Sequence, residues 1–179
     1  MFILVIGGSG SGKSEYAENL ILQLAKGNQN KKLYYLATMK VYGKEGLEKI
    51  ERHRKLRSGK GFETLEKTED IAECISGSEK GSIVLLECMS NLVANEMFTD
   101  SEIKNEGDVA KKITAELEKL ADYYGDMVIV TNNVFDDGIE YDETTISYIR
   151  CLGKININLA KMADKVIEVV AGIPVVVKE

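Results

Sequence analysis

Near the start of the chain, Gly7-Gly8-Ser9-Gly10-Ser11-Gly12-Lys13-Ser14 has the types and spacing to hold a polyphosphate. The stretch fits G-x-x-x-x-G-K-[ST]. In that pattern backbone N–H groups wrap a phosphate, the lysine reaches the β and γ phosphates, and the hydroxyl ligates Mg²⁺. Lys13 is therefore a candidate catalytic residue and Ser14 a candidate metal ligand, with the whole of Gly7 to Ser14 as the nucleotide cradle. Glu87 closes the apolar run Ile83-Val84-Leu85-Leu86. A carboxylate at that place in a phosphate-binding fold assists Mg²⁺ or a nucleophilic water or hydroxyl, so Glu87 is read as both catalytic and metal-binding.

A second kind of chemistry is suggested by His53, the one histidine, in Lys49-Ile-Glu-Arg-His53-Arg54-Lys-Leu-Arg57. Helical periodicity puts Lys49, His53 and Arg57 on one face, four residues apart. Cationic neighbours disfavour a further positive charge on the ring, which leaves it neutral and nucleophilic. Lys49, Arg54 and Arg57 could hold a polyphosphate against it. By residue type alone, a single histidine in a charged helix also reads as a surface residue, and a basic run as a solvated face.

These residues need a frame. Phe2 to Ile6 suits a buried strand, and Tyr16, Ala17, Leu20, Ile21 and Leu24 recur at helical spacing behind the glycine-rich loop. Further strands are expected at Leu33 to Thr38, Phe62 to Leu65, Ile83 to Glu87 and Met127 to Thr131. Helical segments are expected at Gly43 to Arg57, Glu69 to Ile75, Cys88 to Phe98, Val109 to Tyr124 and Asp142 to Met162, with Gly153 weakening the last. Asp100 to Asp108 reads as an acidic connection. Lys165 to Val170 and Ile173 to Val177 read as a closing hairpin, its last strand at an edge because Pro174 lacks an amide donor. Strands alternating with helices predict one α/β domain over residues 1–179, a mostly parallel RecA-like P-loop sheet with helices on both faces and a C-terminal antiparallel hairpin. Ligands in such sheets sit beyond the carboxyl ends of the strands. That rule gathers the loop after Ile6, Thr38, Glu87 and Thr131-Asn132-Asn133 along one edge.

Composition narrows the partners. A net charge of −6 over 179 residues offers no basic excess for a nucleic-acid backbone. Cys74, Cys88 and Cys151 are odd in number and widely spaced, which supports neither a disulfide framework nor a metal cluster. No apolar run approaches the length of a membrane span, and the opening residues lack the pattern of a signal peptide, so a cytoplasmic location is expected. Residue types alone leave open a small-metabolite kinase in which His53 is incidental, and a switch protein whose nucleotide state controls a partner.

Five stretches carry a likeness to a known family: IGGSGSGKSEYAE from Ile6, YLATMKVYGKEGLEKIERH from Tyr35 to His53, LLECMSNLVAN from Leu85 to Asn95, VTNNV from Val130 to Val134, and NINLAKMADKVIEVVAGIP up to Pro174. Along nearly its whole length the chain resembles the bifunctional adenosylcobinamide kinase and adenosylcobinamide-phosphate guanylyltransferase of cobalamin synthesis. The Tyr-x-Ala-Thr strand, the Ile-x-x-His helix, Glu-Cys and Val-Thr-Asn are more specific to that family than the phosphate loop. The resemblance implies a homotrimer that phosphorylates adenosylcobinamide with ATP or GTP. It further implies transfer of GMP from GTP to the phosphate product, through a covalent guanylyl intermediate on the residue matching His53. The family's usual Asn-Glu-Val-Gly reads Asn132-Asn133-Val134-Phe135 here, and residues 136–148 lack its arginines and proline.

Overall fold

In a computed structural model, Phe2–Gly7 forms β1, whose residues alternate between two apolar surfaces. Phe2 and Leu4 enter one core, Ile3 and Val5 the other. A strand buried on both faces is the centre of a parallel sheet, because its neighbours and covering helices satisfy every backbone group and side chain. The structure describes residues 1–28, 31–40, 51, 55, 57–99, 101–133, 138 and 140–179.

After β1 come α1 (Lys13–Lys26), β2 (Leu33–Ala37), β3 (Phe62–Glu66), a 3₁₀ turn (Ile71–Gly77) and β4 (Ile83–Glu87). Then follow α2 (Met89–Met97), α3 (Glu106–Tyr123), β5 (Asp126–Asn132), α4 (Glu143–Met162), β6 (Lys165–Val170) and β7 (Ile173–Lys178). The seven strands lie in the order β3-β2-β4-β5-β1-β6-β7. All neighbours are parallel except β6 and β7, which pair antiparallel as the hairpin expected from sequence. Pro174 sits in the edge strand, where its missing donor costs no ladder bond. The two-residue turn between β6 and β7 has Ala171 at φ 49° and Gly172 at φ 81°. That doubly left-handed geometry matches the twist of the flanking strands.

Helices cover both faces. Helices α2, α3 and α4 and the 3₁₀ turn bury Met89, Leu92, Ile113, Leu117, Leu152, Ile155 and Ile71 on the side of Leu4 and Leu86. Helix α1 buries Ala17 and Ile21 on the side of Val5, Tyr35 and Leu85. Gly153 is accommodated within α4 without interrupting it.

One element begins earlier than its apolar periodicity suggests. Helix α3 starts at Glu106, inside the stretch expected as an acidic connection, because the Asn105 side chain accepts from the amides of Gly107 and Asp108 at 2.8 and 3.4 Å. Two otherwise orphaned donors are satisfied there, and Glu106 and Asp108 meet the positive end of the helix dipole. The helical segment expected from Gly43 to Arg57 lies largely outside the described residues; Glu51, Lys55 and Arg57 are helical.

Candidate active site

Parallel register brings the chemistry to one edge. Gly7 pairs with Asn132, and Ala37 with Glu87, at the carboxyl ends of their strands. The β1 loop and Glu87 are separated by β5 alone, an offset of about 10 Å at the usual strand spacing.

The phosphate loop is held from three sides. Its turn closes with Ser11 N donating to Gly8 O at 3.2 Å, and Gly12, at φ 88°, leads into α1. The buried Lys13 donates through Nζ to Gly8 O at 3.0 Å, folding the ammonium over its own loop. On the far side the Gly172 amide of the β6–β7 turn donates to Ser11 O at 2.8 Å. Ser9, Gly10 and Gly12 are exposed on the crest, where a ligand has access. The start of α1 adds its dipole and free amides to this surface, an arrangement that favours an anion.

Glu87 is half-buried and accepts a hydrogen bond from Tyr35 Oη at 3.0 Å. The Arg57 guanidinium lies 3.5 Å from the centroid of the same tyrosine ring, and Phe62 meets that ring edge-on. Burial, and then the Glu87 charge, hold the Tyr35 phenol above its ordinary range, so it stays a donor. Burial also raises the thiol of Cys88, while the Ser90 hydroxyl and the Lys13 ammonium act in the opposite sense.

Backbone and side chains stitch the motif residues to one another. Thr38 N donates to Glu87 O at 3.1 Å and Thr38 Oγ1 to Cys88 O at 2.7 Å. Asn95 of α2 donates to Thr38 O at 2.7 Å. At β5, Thr131 donates to Asn156, and Asn132 to Ser90 Oγ, each at 2.7 Å. Tyr35, Ser90 and Asn156 were not singled out as site residues from sequence. Tyr35 lay in a quoted motif, but its partner stands 52 positions away and only the strand register reveals it.

Of the expected site residues, the structure brings Gly7 to Ser14 and Glu87 to the same edge, with Arg57 behind Glu87. Arg57 is buried against Tyr35 and not part of a solvated face. Lys49, His53 and Arg54 lie outside the described residues. Among the described residues no group of three His, Cys, Asp or Glu side chains is placed to hold a metal ion.

A family model described as cobinamide kinase / cobinamide phosphate guanyltransferase matches residues 3–177. The chain belongs to that family. It is 32% identical to the bifunctional adenosylcobalamin biosynthesis protein CobU of Escherichia coli (strain K12), covering 99% of this chain and 100% of that protein. It is 27% identical to the bifunctional adenosylcobalamin biosynthesis protein CobP of Pseudomonas aeruginosa, covering 98% and 96%. Among solved structures, an ATPase domain superposes with a TM-score of 0.50 at 13% identity, covering 93% of this chain and 68% of that one, a likeness of fold alone. The mostly parallel architecture is the one expected from the strand-loop-helix opening, and it sets Lys13, Ser14 and Glu87 along one edge of the sheet. No helix among the described residues is long and apolar enough to cross a membrane.

Proposed function

We propose that this chain carries out both reactions of its family on one nucleotide-binding edge: phosphorylation of the adenosylcobinamide side-chain hydroxyl by ATP or GTP, then transfer of GMP from GTP to that phosphate. The observation that carries the reading is the family match over residues 3–177 laid over a formed glycine-rich loop at the same sheet edge as Glu87. In the first reaction Lys13 and the loop amides neutralise charge on the transferred γ-phosphoryl group, and Glu87 orients the attacking hydroxyl or its proton. The Ser14 hydroxyl and Glu87 carboxylate are hard oxygen donors, and one or two such ligands plus phosphates and water is how proteins hold Mg²⁺. When bound, that ion withdraws charge from the phosphate oxygens.

In the second reaction a ring nitrogen of His53 attacks the α-phosphorus of GTP. A P–N bond forms as the bond to the β-phosphate oxygen breaks, and pyrophosphate leaves. An oxygen of adenosylcobinamide phosphate then attacks the same phosphorus, the P–N bond breaks, and adenosylcobinamide-GDP is released. Lys49 and Arg54 are assigned to the cationic surroundings of this transfer, while Arg57 is held on the Tyr35 ring. A cytoplasmic homotrimer, acting on small molecules and not on nucleic acid, completes the proposal.

The experiment is incubation of the protein with Mg²⁺ and GTP labelled at the α-phosphate. Acid-labile, alkali-stable label should appear on the wild type and be absent from His53→Ala. Equal labelling of both proteins, or none on the wild type, rules out the guanylyl-histidine step.

A further inference from the structure

Tyr35 joins two parts of the site that sequence motifs keep apart. It stands on β2 opposite Leu85, and its side chain shares the α1 face of the sheet with the side chain of Glu87, two residues further along β4. The ring is buried at 3% exposure, crossed by the edge of Phe62 at 5.9 Å between centroids and capped by Arg57 at 3.5 Å. A ring gripped on its face and at its edge cannot swing away, so the hydroxyl is fixed on Glu87 Oε2 at 3.0 Å. Arg57 is helical and stands four positions after His53 in the sequence. Its guanidinium is buried at 8% exposure and committed to an aromatic face, a contact worth most when desolvated.

We propose that Tyr35 is a positioning residue for Glu87, and that Arg57 stacked on its ring steadies that contact. The inference rests on Glu87 having the catalytic role assigned above. A glutamate side chain has three rotatable torsions; a hydrogen bond from a locked phenol selects one rotamer and leaves the other oxygen for the reaction. Loss of the Arg57 cap would loosen that choice.

The test combines a double-mutant cycle with a spectroscopic readout on the full chain. Tyr35→Phe keeps the ring under Arg57 and removes only the hydroxyl. It should lower kcat for cobinamide phosphorylation about tenfold, as supporting hydrogen bonds to reactive ligands do, with KM for ATP within about twofold. In a Glu87→Gln background the same substitution should cost nothing further. In protein labelled at tyrosine Cζ and free of nucleotide and metal, the resonance absent from Tyr35→Phe should move in Glu87→Gln and in Arg57→Met. An equal kcat loss in both backgrounds, or a Tyr35 resonance unmoved by Glu87→Gln, overturns the positioning role. If Glu87→Gln retains wild-type kcat while the resonance moves, it is the catalytic reading of Glu87 that fails, and the positioning role falls with it.

Discussion

At Gly7 a methyl group would land 2.5 Å from Ser11 Oγ and 2.7 Å from the carbonyl oxygen of Val169. The first neighbour is a buried hydroxyl with no hydrogen-bond partner among the described residues, and the second is backbone of the adjoining strand. The hydroxyl can turn aside, but the carbonyl cannot retreat cheaply, since moving Val169 means moving β6. Gly7→Ala is therefore expected to destabilise the fold by about 1–3 kcal/mol, the ordinary cost of overpacking. For a chain of this size that is roughly a 2–10 °C fall in Tm. The same strain bears on the loop that follows, so the extra stability conferred by ADP or GDP should shrink as well. Thermal melts with and without nucleotide check both parts, and an unchanged Tm would mean the loop and β6 separate more readily than their contact indicates.

The elements were largely legible because their signals are redundant. Ile83 to Leu86 is apolar on both faces and must be a central strand, and Pro174 forces β7 to an edge; both follow from backbone chemistry without any tertiary information. The start of α3 was not, because Gly107 and a run of acids mask a helix whose first turn is held by the Asn105 side chain. Helix α4 is capped likewise by Asp142, which accepts from the amides of Thr144 and Thr145 at 2.9 and 3.0 Å. Asn105→Ala should cost about 1 kcal/mol at any pH, since the cap is neutral. Asp142→Ala should behave differently. Hydrogen bonds from the amide and hydroxyl of Thr145 lower the Asp142 pKa from 3.8, so its stabilisation is present above that value and lost as pH falls through the lowered folded value. Denaturant titrations at neutral and acidic pH would show the Asp142→Ala deficit shrinking in acid while the Asn105→Ala deficit persists; parallel curves would contradict the capping account.

At the scale of the molecule, the topology fixes what packs beside the β1 loop and α1. The connection from β2 to β3 returns on the α1 face: Arg57 packs on Tyr35 there, and Lys60 pairs with the buried Glu18 of α1 at 2.6 Å. Arg57 and Lys60 are thus anchored beside the helix that begins with Lys13, an adjacency that depends on which face the crossover takes and that sequence reading did not find. With one G-x-x-x-x-G-K-S stretch and one histidine in 179 residues, the proposed function has both reactions draw on the same triphosphate anchor. Lys13→Ala should then lower cobinamide phosphorylation and GTP-dependent labelling together. A drop of about 10²–10³-fold in each is expected when a preorganised charge at the transferring phosphate is removed. His53→Ala should fall selectively on guanylyl transfer, because γ-phosphoryl transfer needs no bond to the ring. Measuring both rates for both variants decides the matter: a Lys13→Ala protein that still takes up GMP at the wild-type rate would require a second triphosphate site away from the β1 loop.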